Sequence, residues 1–269
     1  MANQITESTL EMHYHKALMD AFRACYGIGP KGDFSFYKYS QQKEKFVGFD
    51  QAYVKTELDD SDFYEDIKSV ATGKPSNVVY AGYFLQFKVV EEKSNRLKSI
   101  PSDITKTPPF YGVKLSTRRD SKDNLSQHEL LRNIQKSSAK ALVYYACPML
   151  FDKTDLYVNE ADLNFLRLVD IESSGSDFND NKTHHIYFKN QTAQPVWCSE
   201  PVDGKALTAR EFFEKVRDAN LTPKDRAEIL KTIIDSQKER ILKEKEEAIK
   251  LSDVFKAMAD FFYLISYKA

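Results

Sequence analysis

Two polar side chains, Gln86 and Lys88, interrupt an apolar run at residues 78–90. Because side chains alternate along a strand, residues two apart project from the same face. A charged amine is expensive to bury among apolar neighbours unless another group pairs with it. Asp50 ends another apolar run and is the partner that the sequence offers. A carboxylate beside an amide and a lysine predicts a site for a metal ion and a phosphate.

The chemistry that needs this set of groups is phosphodiester hydrolysis. A hard cation such as Mg²⁺ takes oxygen ligands, which Asp50, the Gln86 amide and Glu11 on the first predicted helix would supply. Such a cation lowers the pKa of a bound water and stabilises charge that builds up on the phosphate. Lys88 would orient that water or neutralise the phosphorus centre. Glu7, one turn before Glu11, is a rival for the same role.

The order of these residues along the chain resembles the restriction-endonuclease-like PD-(D/E)XK superfamily. The order is a helix with Glu11, a strand with Asp50, a strand with Gln86-x-Lys88, a helix with Gln127 and then a buried strand. The Gln-x-Lys form is similar to the Mrr-type branch, which includes restriction and anti-phage effector nucleases. The resemblance implies that Asp50 and Glu11 are metal ligands and that Gln86 is the amide variant of the usual acidic ligand. It also implies that Lys88 is the catalytic lysine and that Gln127 is the helix glutamine found near such sites.

This resemblance covers residues 5–150 and sets the functional expectation. It implies a nuclease that depends on Mg²⁺ or Mn²⁺ and acts on DNA, although RNA is not excluded as a substrate. It also implies that the protein is an effector subunit of an anti-phage defence complex. An ATPase or a sensor subunit is the expected partner, or self-association through the C-terminal helices. The alternative is a restriction-fold subunit that no longer cuts and acts as a nucleic-acid-binding or assembly module.

Hydrophobic periodicity predicts an α/β body with a mixed sheet flanked by helices over residues 1–203, and a helical region over residues 204–269. Strands are predicted at 34–39, 46–54, 78–90, 110–115, 141–149, 165–171, 184–188 and 195–199. Helices are predicted at 6–24, 126–139, 208–219, 223–248 and 252–267. A polar turn at 41–44 should join the first two strands. The acidic residues 57–65 should form an exposed insertion that continues into a short helix, and residues 91–109 a mobile loop.

Each site residue also has an ordinary structural interpretation. Asp50 can start a turn, and Gln86 with Lys88 can form the solvent face of an edge strand. Glu11 can be a surface residue of its helix, and Gln127 can bond the helix N-terminus.

A basic stretch adds candidate contacts to nucleic acid. Lys114, Arg118 and Arg119 lie close together in the sequence and can contact phosphates. Gln127 is a further candidate contact to nucleic acid. The competing interpretation is an exposed basic loop without a ligand.

Composition limits the remaining possibilities. The 269 residues carry 39 basic and 40 acidic side chains, so any basic surface for nucleic acid must be local. No apolar run reaches the roughly 20 residues that a bilayer span needs. Cys25, Cys147 and Cys198 are odd in number and far apart, which argues against a disulfide framework. The first residues lack the pattern of a signal peptide, so a reducing cytoplasm and no membrane association are expected.

Overall fold

The computed structural model of the protein contains two β-sheets, with helices packed around the larger one. It describes residues 5–26, 35–55, 58–75, 81–94, 100–106, 108–117, 119, 125–137, 141–158, 160–178, 182–198 and 201–218. The predicted C-terminal helices at 223–248 and 252–267 lie outside these described residues. No helix within the described part of the chain is both long and apolar enough to span a bilayer.

The described residues form both strands and helices. The strands are Ser35–Lys38 (β1), Gln51–Lys55 (β2), Ala81–Phe87 (β3), Glu91–Lys93 (β4), Phe110–Lys114 (β5), Ala141–Pro148 (β6), Leu166–Asp170 (β7), His185–Phe188 (β8), Pro195–Cys198 (β9), Val202–Asp203 (β10) and Ala206–Thr208 (β11). The helices are Glu7–Tyr26 (α1), Gln41–Val47 (α2), Asp60–Ala71 (α3), Ser102–Thr105 (α4), Gln127–Ser137 (α5), Lys153–Val158 (α6) and Ala209–Asp218 (α7). Short 3₁₀ helices occupy Leu163–Phe165 and Ile171–Ser174.

The larger sheet has the strand order β1-β2-β3-β6-β7-β11. Strands β3 and β6 are parallel, whereas every other neighbouring pair in this sheet is antiparallel. Parallel strands need a long crossover, and here the chain between β3 and β6 includes β4, β5 and α5. Strand β3 therefore lies in the interior of the sheet, with β2 on one side and β6 on the other.

The two faces of this sheet belong to different apolar clusters, because side chains alternate along each strand. On one face, Tyr53 and Tyr83 pack with α1 residues such as Leu10 and with Phe212 of α7. The opposite face carries Phe84 and contacts α3, α5 and the second sheet. The acid-bearing helix α1 and the glutamine-bearing helix α5 thus lie on opposite faces of the same strands.

The second sheet is antiparallel throughout, with the strand order β10-β9-β8-β5-β4. Its residues Val113, Ile186, Phe188 and Trp197 belong to the same buried cluster as Val143 of β6. The second sheet therefore covers part of the larger sheet and shares one core with it.

Most predicted elements agree with the structure, but several segments differ, among them the following three. Residues 41–47 form helix α2 and strand β2 begins at Gln51, so the predicted strand at 46–54 is wrong in its first half. The acidic segment continues into α3, a helix of 12 residues. This helix buries Phe63 and Ile67 and is therefore not an exposed insertion. The predicted loop at 91–109 contains β4 and α4.

The region predicted to be helical from residue 204 contains strand β11, so that prediction is wrong at Ala206–Thr208, and the described residues of this region join the larger sheet. Strand β11 pairs with β7, and α7 contributes Phe212 and Phe213 to the cluster that contains α1. The predicted domain boundary at residue 203 stays a prediction, because the residues that follow Asp218 lie outside the described part of the chain.

Candidate functional site

Asp50 and Gln86 are in direct contact at the adjoining ends of β2 and β3. Gln86 Nε2 donates a hydrogen bond to Asp50 Oδ2 at 2.8 Å, and the Phe87 amide donates to the same oxygen at 2.6 Å. The Asp50 amide in turn donates to the Leu85 carbonyl at 3.0 Å, which continues the β2–β3 ladder by one residue. Asp50 is 4% exposed and Gln86 is fully buried. The sequence-predicted pair is therefore brought together inside the protein.

Gln127 extends this contact from the other side of Gln86. Its Nε2 donates to Gln86 Oε1 at 2.9 Å. The helix terminus is capped by other groups, because the Ser126 amide donates to Glu129 Oε2 at 2.7 Å and the Glu129 amide donates to Ser126 Oγ at 3.2 Å. This reciprocal pair is a capping box, so the Gln127 side chain points to the site rather than to the helix end.

Lys88 leaves β3 directly after the strand ends and is 4% exposed. Its backbone amide donates to the Ala146 carbonyl of β6 at 2.9 Å, and its Nζ lies 3.5 Å from Glu7 Oε1. Because β3 is flanked by β2 and β6, Gln86 and Lys88 do not form the solvent face of an edge strand. That ordinary interpretation is wrong.

The two acids of α1 have different partners. Glu7 reaches Lys88, whereas Glu11 forms an ion pair with Lys38 of β1. Glu11 is 5% exposed, so it is no ordinary surface residue of its helix. Of the two rivals, Glu7 is the acid that contacts the predicted catalytic lysine.

A further acid, Glu44 of α2, lies beside Asp50. Burial raises the pKa of Asp50 to about 8, and repulsion from Glu44 and a hydrogen bond between the two carboxyl groups act in the same direction. The positive charge of Lys88 and the Phe87 amide lower the pKa of Asp50 and only partly offset these effects. Sequence reasoning missed Glu44, because it lies in the segment predicted to be a polar turn. The available signal was Gly48, which can end a helix at this position.

One buried oxygen atom without a hydrogen-bond partner bears on whether Asp50, Gln86 and Gln127 could hold a cation. Gln127 Oε1 is buried and has no hydrogen-bond partner. A half-turn of the Gln86 and Gln127 terminal amides would let this oxygen accept a hydrogen bond from Gln86 Nε2. It would also move Gln86 Oε1 to the present position of Nε2, which is 2.8 Å from Asp50 Oδ2 and 3.2 Å from the Phe87 carbonyl. Three oxygens would then face one another, which is an arrangement that hard cations stabilise. With the amides so turned, the residues would fit a Mg²⁺ or Mn²⁺ ion, whereas the structure places Gln86 Nε2 rather than Oε1 against Asp50.

This fit depends on amide and carbonyl oxygens as well as on carboxylates. Among the described residues, no group of three or more His, Cys, Asp or Glu side chains is placed to hold a metal ion. A cation here would therefore be held by fewer charged ligands than in an all-carboxylate site, so its affinity depends strongly on each carboxylate that does contribute.

The residues predicted to contact nucleic acid differ in their surroundings. Lys114 is exposed at the end of β5. Arg119 is engaged with Glu129, through Nη2 to Oε1 at 2.7 Å and Nε to Oε2 at 3.3 Å. Arg118 lies outside the described residues. Arg119 therefore stabilises the start of α5, and Lys114 is the described member of the set that is open to a phosphate.

His128, next to Gln127, is a buried residue that sequence reasoning did not single out. Its Nδ1 lies 3.0 Å from the Tyr145 hydroxyl and its Nε2 lies 2.9 Å from the Ser176 carbonyl. Burial lowers the pKa of His128 to about 4, so the ring is neutral at physiological pH. These bonds tie the first turn of α5 to β6 and hold Gln127 in place.

A cavity of about 530 Å³ lies between α1 and the segment that follows β6. Its lining includes His13, Tyr14 and Phe151 but none of Asp50, Gln86 or Lys88. The candidate site is therefore a buried polar cluster at the strand ends and is separate from this cavity.

No protein-family model, curated protein or solved structure matches this chain. The functional conclusion therefore depends on the buried contacts of Asp50, Gln86 and Gln127 and on the nearby buried Lys88, whose amine faces Glu7.

Proposed function

We propose that this protein is a metal-dependent nuclease that hydrolyses phosphodiester bonds, with DNA as the expected substrate. The observation that carries the proposal is the buried contact of Asp50 with Gln86, extended by Gln127 and followed by Lys88 two residues later. Burying an acid, two amides and a lysine costs free energy that hydrogen bonds and ion pairs must offset. Buried titratable groups with a shifted pKa are concentrated at functional sites, which favours a functional role for this set.

The order of elements supports a restriction-endonuclease-like fold. Helix α1 carries Glu7 and Glu11, Asp50 precedes β2, and β3 leads into Gln86-x-Lys88. Helix α5 and the buried parallel strand β6 follow in the order that the PD-(D/E)XK resemblance implies.

In this mechanism, Asp50 and Gln86 would hold the cation at the adjoining ends of β2 and β3. When bound, Mg²⁺ or Mn²⁺ would supply an acidified water and stabilise charge on the phosphate. Lys88 donates hydrogen bonds to the phosphate or to the attacking water, and its burial strengthens that interaction. Glu7 holds the Lys88 amine in place, while Gln127 fixes the Gln86 amide.

The biological setting that we propose is an anti-phage defence complex in which this chain is the effector. It rests on the resemblance to the Mrr-type branch. A sensor or ATPase partner, or self-association through residues 219–269, would control when the nuclease acts.

One observation favours a second function, that of a restriction-fold subunit that binds but does not cut. Gln86 stands where the resembled family has an acidic ligand, and a neutral amide binds a divalent cation less strongly than a carboxylate. A subunit of this kind would bind nucleic acid or assemble the complex without hydrolysis.

Removal of the Lys88 amine is the direct test. We expect Lys88→Met, which keeps the aliphatic chain, to lower cleavage of DNA by about 100-fold or more with Mg²⁺ or Mn²⁺, because it removes a donor to the developing charge. The measurement is single-turnover cleavage of labelled DNA and RNA by the full chain. Lys93→Met is the matched control, because Lys93 pairs with Glu91 on β4 of the other sheet.

Three outcomes separate the two functions. Cleavage lost in Lys88→Met but retained in Lys93→Met supports the nuclease. Equal cleavage by both variants contradicts a catalytic Lys88. A wild-type chain that binds DNA without cutting it at any metal concentration supports the non-cutting subunit.

A further inference from the structure

The cavity of about 530 Å³ between α1 and the segment that follows β6 has no part in the proposed nuclease site. Pockets that hold small organic ligands have volumes of several hundred Å³ and combine apolar walls with a few polar groups. This lining includes the apolar side chains of Met149 and Phe151 beside the carboxyl groups of Asp155 and Asp162. The cavity therefore has the size and the mixed chemistry of a small-molecule site.

The charged side chains of the cavity wall are acidic. They are Asp155, Glu160 and Asp162, and the described lining residues include no lysine or arginine. Arg210 Nη2 lies 3.8 Å from Asp162 Oδ1, but both side chains are about half exposed, so this ion pair is weak. Burial lowers the pKa of His13, which also lines the cavity, so its ring is neutral at pH 7. The wall therefore carries an excess of negative charge.

Tyr14 provides a second, independent observation. This residue lines the cavity and is fully buried, and its hydroxyl has no hydrogen-bond partner. Burial raises the pKa of Tyr14, and the negative charge of Asp162 on the same wall raises it further. A buried hydroxyl without a partner costs free energy, which a ligand can recover by donating an N–H group to its oxygen.

Exposed apolar side chains are grouped near the same cavity. Phe165 belongs to the lining and is 46% exposed. Met12 and Tyr157 are the most exposed large apolar side chains among the described residues, and they lie within two positions of the lining residues His13 and Asp155. Exposed apolar surface of this kind marks binding sites, and aromatic faces attract organic cations.

We propose that this cavity binds a small organic cation, with an ammonium, amidinium or guanidinium group on an apolar stem. The carboxylates of Asp155, Glu160 and Asp162 accept hydrogen bonds from the cationic group. The Tyr14 hydroxyl accepts one more, while the stem lies against Phe165. The site is separate from Asp50, Gln86 and Lys88, so the proposal does not rest on the nuclease function.

Three planar probes of nearly the same shape test the selectivity for positive charge. At neutral pH benzamidine is a cation, benzamide is neutral and benzoate is an anion. We expect the full chain to bind benzamidine at least about 10-fold more tightly than benzamide, because only the cation forms ion pairs with the carboxylates, and benzoate not to bind. Calorimetry and amide chemical shifts measure the three affinities.

Two results of this comparison would overturn the proposal. One is binding of benzamide or benzoate as tight as that of benzamidine. The other is no binding of benzamidine at about 10 mM, a concentration that would reveal even a weak site.

Removal of two exposed carboxylates tests where the cation binds. Asp155→Asn combined with Glu160→Gln should weaken benzamidine binding by about fivefold or more, because each exposed carboxylate contributes a modest ion pair. The matched control, Asp62→Asn combined with Glu65→Gln, removes the same two types of acid from exposed positions of α3, which packs on the opposite face of the larger sheet. It should bind benzamidine like the wild type. Equal affinities of the two double variants would place the cation elsewhere and overturn the proposal.

Tyr14→Phe separates the role of the hydroxyl from folding. Its thermal midpoint without a ligand should equal or exceed that of the wild type, because the hydroxyl that is removed has no partner. Its affinity for benzamidine should fall about threefold or more, since a hydrogen bond to a charged group is lost. Unchanged affinity would overturn the assignment of the ligand to the part of the cavity that Tyr14 lines.

Discussion

At the scale of single residues, the site depends on opposing effects on the pKa of the Asp50 carboxyl group. Burial and the neighbouring Glu44 favour its protonated form, while Lys88 and the Phe87 amide favour the carboxylate. Protonation prevails without a cation, because one lysine and one amide do not replace the water that a buried carboxylate loses. A divalent cation would reverse this balance by replacing the proton.

The raised pKa of Asp50 predicts how stability depends on pH. The folded-state pKa of about 8 lies above the ordinary value of 3.8, so the folded protein binds a proton that the unfolded chain has released between those values. Stability from this group is therefore complete below about pH 4 and is lost as the pH rises toward 8. We expect the free energy of unfolding of Asp50→Asn, relative to wild type, to rise over this interval by a few kcal/mol, on the order of the linked protonation energy.

Urea denaturation without divalent cations at several pH values measures this difference. Glu65→Gln serves as the reference, because Glu65 is an exposed acid on α3. A constant difference between Asp50→Asn and wild type across the interval would show that the Asp50 carboxyl ionises in its ordinary range.

At the scale of elements, the agreement between sequence and structure depends on how local the signal is. Strand β6 was predictable, because an unbroken apolar run ended by Pro148 is typical of a buried central strand. Helix α2 was not, because Phe46, Val47 and Phe49 favour a strand in a short window. In the structure, Val47 and Phe49 are both buried although only one belongs to the helix.

The same limit applies to the candidate site. Asp50, Gln86 and Gln127 could be predicted because each interrupts an apolar pattern, and the structure brings all three into contact. The partners of Glu11 and Glu44 could not be predicted. The partner of Glu11 depends on the packing of a helix against a strand that lies far away in the sequence. Glu44 lies on a helix where the sequence predicts a turn.

The pairing of β2 with β3, which sets the register of the site, requires a glycine at position 82. A Cβ there would overlap the Tyr53 carbonyl oxygen and would lie 2.8 Å from Val54 Cα. Both contacts are with backbone, so the strands themselves must separate. We expect Gly82→Ala to lower the free energy of unfolding by about 3 kcal/mol or more, a loss found only where a specific steric mechanism acts.

Gly175→Ala is the matched comparison for Gly82→Ala. Gly175 has a φ of 65° but no atom within 4 Å of an added Cβ, so only backbone strain of about 1–2 kcal/mol is expected. Urea midpoints of the two variants measure the difference. Equal losses would mean that β2 and β3 can separate without a large penalty.

At the scale of the whole molecule, the site depends on both sheets although its residues come from one. The buried cluster that contains Phe84 of β3 and Val143 of β6 also contains Phe188 and Trp197 of the second sheet. Gln86 projects to the same face as Phe84, because the two are separated by two positions on one strand. The second sheet therefore helps to exclude water from the side of β3 on which the Gln86 amide lies.

A shared core predicts that the two sheets unfold together, and the single tryptophan of the chain can report this. Trp197 is 1% exposed and lies in the second sheet, whereas Val143 lies in β6 of the larger sheet. We expect Val143→Ala to lower the free energy of unfolding by about 2 kcal/mol, because a buried cavity in one sheet weakens the common core. The urea midpoint of the Trp197 fluorescence transition should fall accordingly, with an unchanged m-value. Val202→Ala, which is 40% exposed although it pairs directly with Trp197, should change stability by less than about 0.5 kcal/mol. A Trp197 transition that responds to Val202 and not to Val143 would show that the sheets unfold independently, and the candidate site would then depend on the larger sheet alone.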